Sequence, residues 1–260
     1  MARTALYRRL KVITVTNTNW QIATIRSISD ESPRVKLFNL ELSDAVKFRA
    51  GQFYDIRLTA PDGYQAQRSY SITSSPDDLS TIELAIELIS DGEVSSYFHE
   101  AVQAGEQIEV RGPIGGHFTW NPSLPKPVLF VGGGSGIAPI MSMLRHRRSS
   151  GSHTPALLLF SARSQTDILF REELEEMSQD DPELKLVFTL TRGAPPDWSG
   201  GTRRIDHEMI DAAFENLAGS ASLPDRAYVC GGSNFVEAIG DLLLDTGMGF
   251  RSIRTERFGP

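Results

Sequence analysis

Val128-Leu129-Phe130-Val131-Gly132-Gly133-Gly134-Ser135-Gly136-Ile137-Ala138-Pro139 sets the architecture of this chain. An apolar run too short for anything but a strand enters a glycine turn, and Pro139 then suits the first turn of a helix. Ile140, Met143 and Leu144 continue at helical spacing. Consecutive glycines let backbone amides approach a ligand closely, and a helix N-terminus adds partial positive charge, so the turn predicts a phosphate or pyrophosphate site. It is not a P-loop, since no Gly-Lys-Ser/Thr closes it, and it does not follow the G-x-G-x-x-G register. The plainer reading is a tight turn that only lets helix pack on strand.

Beyond this unit, strands are predicted at 156–160, 184–190 and 227–230, and helices at 166–177 and 206–217. A last helix carries Phe235, Ile239, Leu242 and Leu243 on one face and ends at Gly247. Alternating strands and helices imply a parallel sheet covered on both faces, with ligands at the carboxyl ends of its strands. Before the glycine turn the period changes to two: Ile82, Leu84, Ile86 and Leu88 alternate with polar or small neighbours, and Tyr54, Ile56 and Leu58 alternate with Phe53, Asp55 and Arg57. With 22–26, 35–42, 68–72 and 107–111 this makes six short antiparallel strands, punctuated by turn signals at 60–63, 75–78 and 91–92. A small closed or nearly closed barrel hides their edges. Pro122, Pro125 and Pro127 form a stiff connection, so the domains are expected at 12–122 and 126–260.

Composition narrows the function. The 260 residues carry 26 Lys and Arg against 33 Asp and Glu, a net charge of −7 that offers no basic field for nucleic acid. No apolar run approaches a membrane span, and no secretory segment accompanies Arg3, Arg8, Arg9 and Lys11, so a cytoplasmic monomer is expected. A single cysteine, Cys230, excludes an internal disulfide, a four-cysteine iron–sulfur cluster and a cysteine-based zinc site within this sequence. The five histidines show no metal-ligand spacing, so no metal is expected.

The end of the second parallel strand discriminates between nucleotides. An NAD site usually places an acid there for the ribose hydroxyls, whereas a 2′-phosphate calls for arginine. Here the chain reads Ser161-Ala162-Arg163-Ser164, with no acid until Asp167, which favours NADP over NAD. Arg171 or Arg192 is a candidate second charge.

Six motifs now fall into a familiar order: Arg68-Ser69-Tyr70-Ser71, Gly92-Glu93-Val94-Ser95, Gly112-Pro113-Ile114-Gly115-Gly116, the Gly132 loop, Cys230-Gly231-Gly232 and Glu256-Arg257-Phe258-Gly259. Together, from about residue 20 to 260, they resemble the ferredoxin–NADP reductase superfamily. The resemblance implies a flavin-binding Greek-key β-barrel followed by a Rossmann-like α/β nucleotide domain, with the flavin between them. Arg68 would neutralise the flavin phosphate beside Ser69, Tyr70 would lie against the isoalloxazine, and Ser71 would bring a hydroxyl to N5. Gly92, Val94 and Ser95 would meet the pyrophosphate, which favours FAD over FMN. Gly133, Gly134, Ser135, Gly136 and Gly231 would cradle the nucleotide. Cys230 would abut the nicotinamide, Glu256 would handle a proton, and Phe258 would cover the flavin. Gln52, in Ala50-Gly51-Gln52-Phe53, matches a strand start beside the flavin, with a structural role equally open.

The implied activity is hydride transfer from NADPH to FAD, with electrons passed to a separate carrier such as a ferredoxin, a flavodoxin or an oxygenase component. Starting almost at the barrel and ending just past Phe258, the chain is expected to lack a fused acceptor domain. The alternative is a reductase of free flavins or quinones, and a third reading is a subunit that has lost its flavin. The run Arg145-His146-Arg147-Arg148 reads as cations complementing a helix end, while Arg251, Arg254 and Arg257 are candidates for docking an acidic carrier.

Overall fold

The structure is a computed structural model describing residues 19–78, 81–124, 126–218 and 223–259; Arg3, Arg8, Arg9, Lys11, residues 12–18 of the expected first domain and Pro125 lie outside the described residues. The period-two segments form β1 (Gln21–Ser32), β2 (Val35–Leu42), β3 (Phe53–Thr59), β4 (Gln65–Ser71), β5 (Thr81–Glu87) and β6 (Gln107–Ile114), with helix α1 (Glu93–Glu100) between the last two. They pair antiparallel in the order β4-β3-β6-β1-β2-β5. Just past β4, Ile72 bridges to Leu84 of β5 and the Thr73 amide donates to the Glu83 carbonyl, so the two outer strands meet and close the barrel. Phe38, Leu40, Tyr54, Ile56 and Leu84 fill its interior, and Phe98 of α1 plugs one end, edge-on to Phe38.

The second domain is a parallel sheet of β7 (Val128–Gly133), β8 (Ala156–Ala162), β9 (Leu184–Leu190), β10 (Arg226–Gly232) and β11 (Ile253–Phe258), in the order β11-β10-β7-β8-β9. Helices α2 (Ile137–Ser149) and α3 (Arg171–Asp180) cover one face, and α4 (His207–Ala218) and α5 (Ser233–Asp245) the other. Because successive strand residues point to opposite faces, Phe130, Leu158 and Tyr228 join the first layer while Leu129, Leu157 and Val229 join the second. Among the described residues no helix is long and apolar enough to cross a membrane.

Three details differ from the sequence reading. The helix expected from 166 begins only at Arg171. Gln165–Asp167 forms a single 3-10 turn, and Phe170 then takes a left-handed backbone conformation at φ 57°, turning the apolar Ile168, Leu169 and Phe170 into the core. The run from Arg145 to Arg148 is a set of specific pairs rather than free helix-end cations. Arg147, only 2% exposed, holds Asp181 at 2.7 Å and the Thr154 carbonyl at 2.9 Å, and Arg148 holds Glu176 and Asp180. Finally, Phe118 and Trp120, which precede the proline-rich connection, belong to the nucleotide-domain core. Phe118 packs edge-on to Tyr228 and Trp120 to Phe130, and the Tyr228 hydroxyl donates to the Thr119 carbonyl. Each such ring contributes roughly 1.5–3 kcal/mol of burial, which makes the domain junction a packed contact rather than a loose hinge.

Candidate active site

Closure of the barrel places the end of β4 beside the tip of β11, and between them lies a cleft of about 820 Å³ walled by both domains. That size is ordinary for a cofactor site. Arg68, Ser69, Tyr70 and Ser71 form the barrel wall; Gly92, Val94 and Ser95 stand at the start of α1; Glu256, Arg257 and Phe258 come from β11.

Each barrel residue has a distinct environment. The Arg68 guanidinium is exposed and donates only to the neighbouring Gln67 carbonyl at 2.7 Å, so its charge meets no carboxylate among the described residues. The Ser69 hydroxyl is committed inward, donating at 2.6 Å to Asp55, which is 4% exposed and clasped by Arg111. Tyr70 is half-buried against Phe98, and burial pushes its phenol up to about 12, keeping it neutral. Ser71, 4% exposed, donates at 3.0 Å to Glu256 Oε1. Burial raises the Glu256 carboxyl to about 7 against the lowering effect of the Ser71 bond.

Around α1 the cleft is lined by the start of the helix and the loop before it, acidic Glu87 and Asp91 included. Gly92 is the N-cap and makes no side-chain cap bond, so the first-turn amides have no serine or aspartate acceptor from that position. Ser95 instead shapes the loop, accepting from the Ile89 amide and donating to the Gly92 carbonyl, both at 3.2 Å. Ile89, Ser90 and Asp91 also wall the cleft; sequence reasoning saw this stretch only as a turn, although Asp91 at φ 63° is the kind of left-handed residue that marks a shaped loop.

On the nucleotide side, Ser135 and Ala138 reach the cleft, whereas Gly133, Gly134, Gly136, Gly231, Cys230, Ser161, Arg163 and Arg171 lie outside its walls. Close packing accounts for several glycines. A Cβ on Gly136 would stand 2.2 Å from the Cys230 carbonyl oxygen, and one on Gly133 or Gly231 would strike the Phe235 ring at 2.9 or 2.7 Å. Phe235, expected in the buried stripe of α5, thus covers the ends of β7 and β10. Gly134, at φ +56° with open space around it, is the loop's exposed turn. Cys230 is fully buried and pairs in register with Glu256; burial and that carboxylate push its thiol up, so it is a neutral packing group rather than a nucleophile.

At the end of β8, Ser161 pairs in register with Gly133, and Arg163 is exposed with no side-chain partner among the described residues. The Arg192 amide donates to the Arg163 carbonyl at 2.7 Å, bringing two arginine backbones side by side. Asp167 is occupied in a capping box, accepting from the Ser164 amide at 3.0 Å and its hydroxyl at 2.6 Å. Arg171, the other candidate charge, is engaged elsewhere: it pairs with Glu175 at 2.8 Å, one helical turn on, and lies over the Trp198 ring. Gln52 ties two turns together, accepting from the Arg49 amide and donating to the Gly115 carbonyl, and does not wall the cleft. Near the C-terminus, Arg254 donates to His117 and Arg257 pairs with Glu237, leaving Arg251 exposed.

Comparison with known proteins assigns both halves of the chain to known domain families. Residues 22–120 match the oxidoreductase FAD-binding domain family and residues 130–241 the oxidoreductase NAD-binding domain family. The chain is 33% identical over 231 residues to ferredoxin–NADP reductase B of Sorangium cellulosum, covering 87% of this chain and 93% of that protein. The chain belongs to the ferredoxin–NADP reductase superfamily. It is also 31% identical to the phenol hydroxylase P5 protein of Acinetobacter pittii, over 91% of this chain and 65% of that relative's length. A ferredoxin NADP+ reductase from Neisseria gonorrhoeae, solved with FAD and NADP bound, shares the fold with a TM-score of 0.76 at 24% identity, over 92% of this chain and 98% of that one.

As a member of this superfamily the chain is an NAD(P)H-dependent FAD oxidoreductase, and its cleft fits that cofactor: an unpaired arginine and an uncapped helix start for phosphates, aromatic residues on two walls, and a hydroxyl–carboxyl pair between the domains.

Proposed function

We propose that this chain oxidises NADPH and delivers the electrons to a separate protein carrier, such as a ferredoxin, a flavodoxin or an oxygenase component. Bound flavin supplies the chemistry, accepting hydride at N5 and releasing electrons one at a time. The chain's own residues bind and align. Arg68, with the amides at Gly92, Val94 and Ser95, holds the FAD phosphates. Tyr70 and Phe258 flank the ring, and Gly134 and Ser135 meet the nucleotide phosphates. Ser71 and Glu256 hold a proton between the domains, and Cys230 keeps β10 and β11 in register behind the nicotinamide.

One observation carries the choice of NADPH: Arg163 stands exposed and, among the described residues, without a side-chain partner beside Ser161 and Arg192, while Asp167, the next acid along the chain, is engaged by Ser164. A guanidinium recognises a phosphate monoester, and the carboxylate of Asp167 is bonded by Ser164 rather than left for the ribose hydroxyls. The protein acceptor is supported by the names of the relatives, a ferredoxin–NADP reductase and a phenol hydroxylase P5 protein.

The test is an anaerobic titration of the purified flavoprotein with NADPH and NADH, followed by turnover with ferredoxin or flavodoxin against ferricyanide and free flavin. Bleaching by NADPH at much lower concentration than NADH, and a higher catalytic efficiency with the protein acceptor, are expected. Preference for NADH overturns the cofactor reading, and preference for free flavin moves the chain to the small-acceptor class.

A further inference from the structure

We propose that Arg145 is a positioning residue for hydride transfer, the centre of a polar clamp that fixes the glycine-loop helix against the flavin strand of the barrel. The inference rests on reading the cleft as the place where flavin and nicotinamide meet.

Ser142, Arg145, His146 and Ser149 recur at i, i+3, i+4 and i+7 along α2, which puts them on one face of the helix. Every one of them bonds to the segment that leaves β4. Ser142 donates to the Ser74 carbonyl at 2.7 Å, Arg145 to the Thr73 carbonyl at 3.1 Å, His146 meets Asp77 at 2.7 Å, and Ser149 reaches both Ser75 and Asp77. Arg145 also spans three elements. Its Nη1 donates to Glu83 of β5 at 2.6 Å, and its Nε and Nη2 grip both oxygens of Glu173 of α3 at 2.7 and 2.6 Å. Only a planar fork can meet these acceptors at once, which lysine cannot.

The clamp lies close to the chemistry. Ser74 is three residues past Ser71 and Ser142 is one helical turn past Ala138, and both Ser71 and Ala138 wall the cleft. A partly buried ion-pair cluster such as this one adds little net stability over an apolar contact of the same shape. Its distinctive effect is geometric, because it permits one register of α2 on the barrel and no other. On the same helix Met143 is pressed against Gly51, where a Cβ would fall 2.6 Å from the methionine methyl, so sliding is also blocked sterically.

The variants Arg145→Met, Arg145→Lys and Glu83→Gln test this with two readouts. In the holoenzyme, stopped-flow reduction by saturating NADPH and the long-wavelength absorption of the flavin–nicotinamide complex report alignment. In Arg145→Met the FAD content and the KM for NADPH should stay near wild type while reduction slows by about 100-fold, the effect of roughly 1 Å of misplacement, and the absorption band fades. Arg145→Lys should not rescue it, and Glu83→Gln should slow reduction about tenfold without adding to Arg145→Met. In the protein without cofactor, amide exchange across residues 73–77 should accelerate in the same variants, which tests the clamp apart from the flavin reading. A wild-type protein that NADPH does not bleach would sink that reading, whereas unchanged exchange would sink the clamp. A wild-type reduction rate and band in Arg145→Met, or in Glu83→Gln should Arg145→Met not fold, overturns the proposal.

Discussion

Ser71 and Glu256 stand 185 positions apart in the chain, yet the serine hydroxyl donates to the glutamate carboxylate at 3.0 Å, joining the closing strand of the barrel to the edge strand of the parallel sheet. The bond lies in the cleft that both domains wall, so the group best placed to hold a proton depends on how the domains are docked.

Burial raises Glu256 from an ordinary 4.5 to about 7, so near neutral pH it is divided between acid and carboxylate. A carboxyl whose folded value is raised contributes stability that is fully present below 4.5 and is lost as pH rises through about 7. Thermal melts across that window should therefore show a decline in wild type that Glu256→Gln lacks, and the pH profile of flavin reduction should lose its inflection near neutrality in the same variant. Ser71→Ala removes the bond that favours the carboxylate, so the inflection should move upward. An unmoved profile in both variants refutes a role for this pair in proton handling.

Arg163→Ala should raise the KM for NADPH by about tenfold or more, the loss of one charge-assisted contact, and leave NADH nearly unchanged. Asp167→Ala is the matched control. If that acid only caps the turn at Ser164, it lowers the melting temperature without weakening NADH. Equal effects of Arg163→Ala on the two nucleotides would remove the arginine from the argument.

Arg68→Ala should weaken FAD retention roughly 10- to 100-fold, corresponding to about 1.5–3 kcal/mol for a hydrogen bond to a charged group. Arg68→Lys should recover only part of it, because an ammonium keeps the charge without the fork. Flavin content after gel filtration measures both. Full retention in Arg68→Ala shows that the phosphate is held elsewhere.

Two adjacent arginines should behave in opposite ways. Arg147→Ala leaves the partly buried Asp181 with only the Glu183 amide and His153, leaves the Thr154 carbonyl without its donor, and should cost about 1–3 kcal/mol in denaturant unfolding, whereas Arg148→Ala, with exposed partners, should cost no more than about 1 kcal/mol. Similar losses for both would contradict the burial seen for Arg147.

Gly136→Ala should destabilise the nucleotide domain by roughly 1–3 kcal/mol or more, because its methyl meets the Cys230 backbone oxygen at 2.2 Å and a backbone neighbour has little room to yield. Calorimetry or denaturant unfolding of the variant checks this, and wild-type stability would show that the loop can shift.

Local pattern was enough for much of the molecule. Period-two alternation in 81–87 and 53–59 and helical spacing after Gly136 identify the elements, since which face of a strand or helix is apolar is written in neighbouring residues. The motif from Arg68 to Ser71 likewise marks the barrel wall of the cleft, although only the structure shows that Ser69 turns its hydroxyl to Asp55. The departures have a common cause. Nothing between residues 145 and 148 distinguishes a buried arginine from an exposed one, since Asp181, Glu83 and Glu173, which select them, arrive from other elements. Phe170 interrupts the helix expected from 166 because its ring and the aliphatic side chains of Ile168 and Leu169 are drawn into the core. Phe118 and Trp120 sit before the connection yet pack beyond it. The residues alone establish which elements form and which groups carry charge. Which charges are neutralised, which acid stays free and how far Ser71 lies from Glu256 follow from long-range packing, because a Coulomb partner or a desolvating neighbour can come from any distance along the chain.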